Sequence, residues 1–143
     1  MDYFIVELSQ QQKIAIPLNE VKEVMSINYT DICPIPGVKN SLLGIISQKG
    51  SLLWLLDLSQ LLHDFQLLTN KFHSLTILVT KIEENYIGLV VKKLGEIRQC
   101  LEINDLTNLS DLNISVNYYQ GVIPDTKNSI PILNLTKIKD YLT

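Results

Sequence analysis

The side chains of this sequence best suited to chemistry are two histidines, two cysteines and a serine, and their spacing argues against each scheme they could serve. His63, His73, Cys33 and Cys100 include the ligand types for zinc, but a structural zinc site draws on closely spaced ligand pairs, and these four contain none. His73 and Ser74, with Asp64 before them, supply the residue types of a nucleophilic triad. A serine nucleophile needs a context such as the strained Gly-x-Ser-x-Gly turn, which is absent here. The glycines are isolated, and none opens a glycine-rich turn before a Lys-Ser or Lys-Thr pair, so there is no phosphate-cradling loop. The expectation is a chain without catalytic residues, bound metal or cofactor. Isolated charges such as Glu23 and Lys49 are read by default as solvated.

Bulk properties narrow the partners. The 143 residues are 46% hydrophobic and 19% charged, enough for one sizeable core or two small coupled ones. A formal charge of −3 with only 12 Lys and Arg lacks the concentrated basic surface that a phosphate backbone demands. A small-barrel protein binding single-stranded nucleic acid is the rival reading. It needs exposed aromatics interleaved with basic residues, and no such array is visible. Met1-Asp2-Tyr3-Phe4 does not read as a signal peptide, and no apolar run is long enough to span a bilayer. The expectation is a cytoplasmic protein without direct membrane insertion, its two thiols reduced.

The elements that must position any site are mostly strands. Tyr3 to Leu8 and Lys13 to Leu18 are β-branched-rich runs separated by Ser9-Gln-Gln-Gln12, a hairpin signal, and Pro17 ends the second run or places it at an edge. Val21 to Val24 is extended, and Cys33-Pro-Ile-Pro-Gly37 cannot be helical. Further strands are expected at Leu43 to Gln48, Leu52 to Leu56, Leu75 to Lys81, Tyr86 to Val91 and Leu94 to Cys100, with Glu83-Glu-Asn85 as a turn. Asp57 is a good N-cap for a short helix from Leu58 to Phe65, and Asn134 starts an equivalent helix. Trp54 has two readings: a packing residue within an apolar run, or an interface anchor.

The chain also repeats itself. Gly44, Ile46, Leu53, Leu55, Leu56, Asp57 and Ser59 correspond to Gly121, Ile123, Ile130, Ile132, Leu133, Asn134 and Thr136, each 77 positions on. Ile14, Ile16, Val21, Glu23 and Val24 find Ile87, Leu89, Leu94, Glu96 and Ile97, each 73 positions on. The expectation is one domain over 1–143 built from related halves of about 1–70 and 71–143, with a small insertion around Leu101 to Asn117. Glycines at strand starts favour two small barrels over an open sandwich.

The ordered elements Ala15-Ile-Pro17, Val21-Lys-Glu-Val24, Ile35-Pro-Gly37, Leu43-Gly-Ile-Ile-Ser-Gln-Lys-Gly50, Leu56-Asp-Leu58 and Ile87-Gly-Leu-Val-Val91 resemble the CheW family of bacterial chemotaxis coupling proteins. The most specific is a Gly-x-x-x-x-basic-Gly segment leading into a strand that ends Asp-Leu. The resemblance implies a mainly β fold of two interlocked five-stranded barrels with short helices. It implies a non-catalytic adaptor that joins a CheA-like histidine kinase to a methyl-accepting chemoreceptor-like protein, recruited from the cytoplasm to membrane receptor arrays. Type IV pilus motility signalling is an equally compatible pathway, and a competitor that binds only one partner is the alternative within the family. By the same resemblance Lys49 stands for a conserved arginine and Glu23 for its glutamate partner, with Val21, Val24, Gly44, Ile46 and Gln48 at or near partner-binding surface. The sequence departs from the family at Lys49, at Trp54 where proline is usual, and at Lys92 where an acidic residue is common. Pro131 keeps the proline in the second half.

Overall fold

The computed structural model describes residues 1–63, 74–101, 103, 118–124 and 129–142. β1 (Asp2–Glu7) and β2 (Lys13–Pro17) form the expected first hairpin around a 3-10 turn at Ser9–Gln11. β3 (Val21–Asn28) continues beyond the short extended piece legible in the sequence. There follow β4 (Leu42–Gln48), β5 (Ser51–Asp57), α1 (Leu58–His63), β6 (Ser74–Ile82), β7 (Asn85–Val91) and β8 (Lys93–Gln99). β9 (Tyr119–Ile123), β10 (Ile130–Leu133) and α2 (Leu135–Leu142) complete the described elements. Asp64, Phe65 and His73 lie outside the described residues, as does most of the insertion placed at Leu101 to Asn117.

The strands form two five-stranded sheets with orders β8-β1-β2-β10-β9 and β3-β6-β7-β5-β4. Exchanging β1–β5 with β6–β10 turns one order into the other, so each sheet combines strands from both parts of the chain. The two parallel junctions correspond in register as well: Leu55 lies opposite Gly88, and Ile132 opposite Ala15. Among the described residues no ladder joins β3 to β4 or β8 to β9, so these are the end strands.

The sheets nevertheless wrap around apolar interiors. Ile46, Leu53, Leu55, Ile77, Val79 and Val90 form a core inside the second sheet, and Met25 and Ile27 of β3 and Leu43 of β4 pack against it from both end strands. Tyr3, Ile5, Ala15, Ile123, Ile130 and Ile132 fill the first sheet. The largest core lies between the sheets, where Ile14, Ile16, Leu56, Leu78, Leu89 and Leu133 meet Leu58 and Leu62 of α1 and Leu135 and Ile138 of α2. Neighbouring residues of a strand point to opposite faces, so Leu55 enters one core and Leu56 the other. Burial on both faces explains the unbroken apolar runs of β5 and β7.

Both helices start as their capping residues require. Asp57 Oδ1 accepts the backbone N–H groups of Ser59 at 3.0 Å and Gln60 at 3.3 Å. Asn134 Oδ1 does the same for Thr136 at 3.1 Å and Lys137 at 3.4 Å. Each cap satisfies N–H donors that the first helical turn leaves without a partner. α2 is further tied to the segment before β4: Ser41 Oγ and Tyr141 Oη lie 2.6 Å apart, and the Lys39 ammonium sits 4.2 Å from the Tyr141 ring centre.

Candidate functional site

Lys49 and Gly50 form the two-residue turn between β4 and β5, with φ of +50° and +79°. Two positive φ angles are what a type I′ hairpin turn requires, and they match the right-handed twist of the flanking strands. The turn places Lys49 at the tip, with Gln48 as the last paired residue opposite Ser51. Along β3, Val21, Glu23, Met25 and Ile27 are half-buried, while Lys22, Val24, Ser26 and Asn28 are exposed. Glu23 thus belongs to the inward-facing row, beside a bulge in the pairing of β3 with β6.

The two end strands of this sheet meet through side chains. Glu23 Oε2 accepts a hydrogen bond from Gln48 Nε2 at 3.0 Å and faces Lys49 Nζ at 3.4 Å. Further along β4 the backbone supplies a second link: Cys33 N–H donates to the Ile45 carbonyl at 2.9 Å, and Ile45 N–H to the Cys33 carbonyl at 3.0 Å. The Glu23–Lys49 contact is open to solvent, with side-chain exposures of 39% and 78%, so its contribution to folding is about 0–1 kcal/mol.

Beside this clasp runs a groove of about 990 Å³. Leu52, Trp54 and Ile87 line it from the face of the sheet that elsewhere forms the central core, Lys22, Glu23, Gln48 and Lys49 occupy its rim, and Lys139 and Leu142 of α2 contribute further lining. Trp54 pairs with Ile45 on one side and Ile87 on the other. It packs against the central core, as the packing reading expects, and also lines the groove. Leu52, on the same face, is 66% exposed. An apolar surface bordered by polar and charged side chains has the make-up of a recognition surface.

Two of the expected surface residues are interior. Ile46 is buried in the core of its own sheet. Gly44 is buried too, with φ +143°, and a Cβ there would lie 2.2 Å from the Cys33 carbonyl oxygen. Both were expected at or near partner-binding surface; alternation along β4 turns them toward the interior, where neither is exposed for contact. Val24 is 40% exposed, whereas Val21 is half-buried against the central core. Lys92 lies away from the groove, its backbone N–H donating to the Glu7 carbonyl at 2.9 Å and its ammonium 4.0 Å from the Glu7 carboxylate.

Sequence reasoning missed the contribution of α2 and of Leu42, Tyr86 and Ile87 to the groove. A signal for part of it was the alternation in β5, which puts Leu52 and Trp54 on one face. Among the described residues no three His, Cys, Asp or Glu side chains gather to hold a metal, and Cys33 is a free cysteine. The side chain of His63 and the whole of His73 lie outside what the structure describes, while Ser74 begins β6. The groups with displaced ionisations are not among the residues that line the groove. Burial pushes the Glu20 carboxyl and the Tyr119 hydroxyl upward; for Tyr3 and Tyr118 the same effect is reinforced by Cys100 and Tyr141, respectively. No helix among the described residues is long and apolar enough to cross a membrane.

The comparisons agree with this architecture. The sequence matches the CheW-like domain over residues 2–141. Among solved structures, the scaffolding protein TtCheW from Thermoanaerobacter tengcongensis matches with a TM-score of 0.79, covering 93% of this chain and 88% of the other at 19% identity. At that identity the likeness is one of fold. No curated protein sequence matches.

Proposed function

Because the chain belongs to the CheW-like domain family, we propose that it is a non-catalytic adaptor coupling a CheA-like histidine kinase to a methyl-accepting chemoreceptor-like protein. The pathway is chemotaxis or type IV pilus motility signalling, and the adaptor acts in the cytoplasm at membrane receptor arrays. The observation that carries this reading is the apolar groove bordered by the Glu23–Gln48–Lys49 clasp, a surface built for recognition. Val21, Glu23, Val24, Gln48, Lys49 and Trp54 form or border the partner-binding surface. Gly44 and Ile46 support it from beneath.

Residues 1–143 act as one unit in this proposal, supported by the mixing of strands from both parts of the chain in each sheet. Rigid connection matters, because an adaptor couples two partners only by contacting the states of one differently according to the state of the other. The test is a three-component capture with an immobilised receptor signalling tip, the regulatory domain of the kinase, and this protein. A coupler raises the amount of kinase retained. A competitor that binds one partner lowers it, and failure to bind either refutes the adaptor reading.

A further inference from the structure

Gln48 and Lys49 approach the same oxygen of Glu23, at 3.0 and 3.4 Å, and Glu23 Oε1 engages no group among the described residues. The two contacts differ in what they can fix. Lys49 is largely exposed, and its ammonium is a compact charge on a flexible stem that sets no plane for the carboxylate. Gln48 is more buried, hydrogen-bonds at the shorter distance and carries a planar amide at the end of a paired strand. A carboxylate can accept at both oxygens, and the contacts from Gln48 and Lys49 both fall on Oε2 of a side chain that is 39% exposed and lines the groove.

We propose that Gln48 is a positioning residue, holding Glu23 through Oε2 so that Oε1 is presented to a hydrogen-bond donor of the partner, a cationic side chain or a backbone N–H. The inference rests on the adaptor reading for its partner but not for its geometry. Lys49 supplies charge, and Gln48 supplies direction. A donor on the partner then meets an acceptor already oriented, which lowers the ordering cost of binding.

The experiment compares wild type, Gln48→Met, Glu23→Gln and the double variant against the purified kinase regulatory domain and the receptor tip, by calorimetry. It is joined by NMR of the Gln48 side-chain amide in the free protein. Gln48→Met should weaken binding of the responsive partner about three- to tenfold, with no further loss when added to Glu23→Gln. In the free protein the Gln48 amide should be ordered, and should shift and loosen in Glu23→Gln. Wild-type affinity in Gln48→Met, or an amide as mobile as an exposed glutamine and indifferent to Glu23→Gln, overturns the proposal. If wild type binds neither probe, the adaptor reading fails and the NMR result alone decides: an ordered, Glu23-dependent amide supports positioning by Gln48, and a mobile one overturns it. The same spectra decide if Gln48→Met does not fold.

Discussion

Gly44→Ala tests whether the end strands of the second sheet are held by the backbone link at Cys33. A Cβ at position 44 would lie 2.2 Å from the Cys33 carbonyl oxygen, 2.9 Å from its carbon and 3.0 Å from Pro34 Cα. All three are backbone atoms, so no side-chain rotation relieves the overlap. The segment must retreat by more than about 1 Å to reach an ordinary van der Waals separation. That movement breaks or weakens both hydrogen bonds of the Cys33–Ile45 bridge, now 2.9 and 3.0 Å, at about 0.5–1.5 kcal/mol each. The φ of +143° adds about 1–3 kcal/mol for a residue with a side chain. The expected loss is about 4 kcal/mol, a large share of the roughly 5–15 kcal/mol that holds a domain together. Gly37→Ala is the control, because its Cβ would meet nothing within 4 Å at φ +80° and should cost only about 1–2 kcal/mol of backbone strain. Urea unfolding followed by circular dichroism measures both. A Gly44→Ala loss no larger than that of Gly37→Ala would refute the reasoning.

Three further outcomes are expected. Lys49→Glu and Glu23→Lys should each weaken partner capture while shifting stability by only about 0–1 kcal/mol, and the double reversal should recover part of the affinity in calorimetry; strictly additive losses would exclude a working pair. Asp57→Ala, which strips the cap from Ser59 and Gln60 at a buried position, should cost about 1–2 kcal/mol in thermal unfolding and more than Asn134→Ala, whose capped N–H groups lie in an exposed setting. Fragments 1–70 and 71–143 should be poorly folded when expressed apart and should regain dispersed amide resonances when co-expressed, because each sheet needs strands from both. A sharp spectrum from either fragment alone would contradict this.

Local rules carried the sequence a long way. Alternating and unbroken apolar runs announced the strands, Pro17 stands at the end of β2, and Asp57 and Asn134 cap their helices, because each depends on groups only a few residues apart. Gly50 marked the turn between β4 and β5, but the positive φ of Lys49 and the pairing register were not legible. The family resemblance, rather than spacing, brought Glu23 and Lys49 together. Gln48 as a second donor to Glu23 came only from the folded chain, since two side chains 25 positions apart meet only once β3 and β4 wrap the same core.

Apolar periodicity says that a side chain is buried, not against what. Gly44 and Ile46 therefore read equally well as surface or interior until β4 is placed beside β5 and beneath the Cys33 segment. The distribution of strands between the sheets has the same origin: β5 beside β7 and β10 beside β2 are parallel junctions between distant parts of the chain, which no hairpin rule specifies. The groove is the last consequence. Its lining comes from β3 to β7 and from α2, and the tertiary packing of these distant elements decides that Leu52 and Trp54 line an opening rather than a closed core.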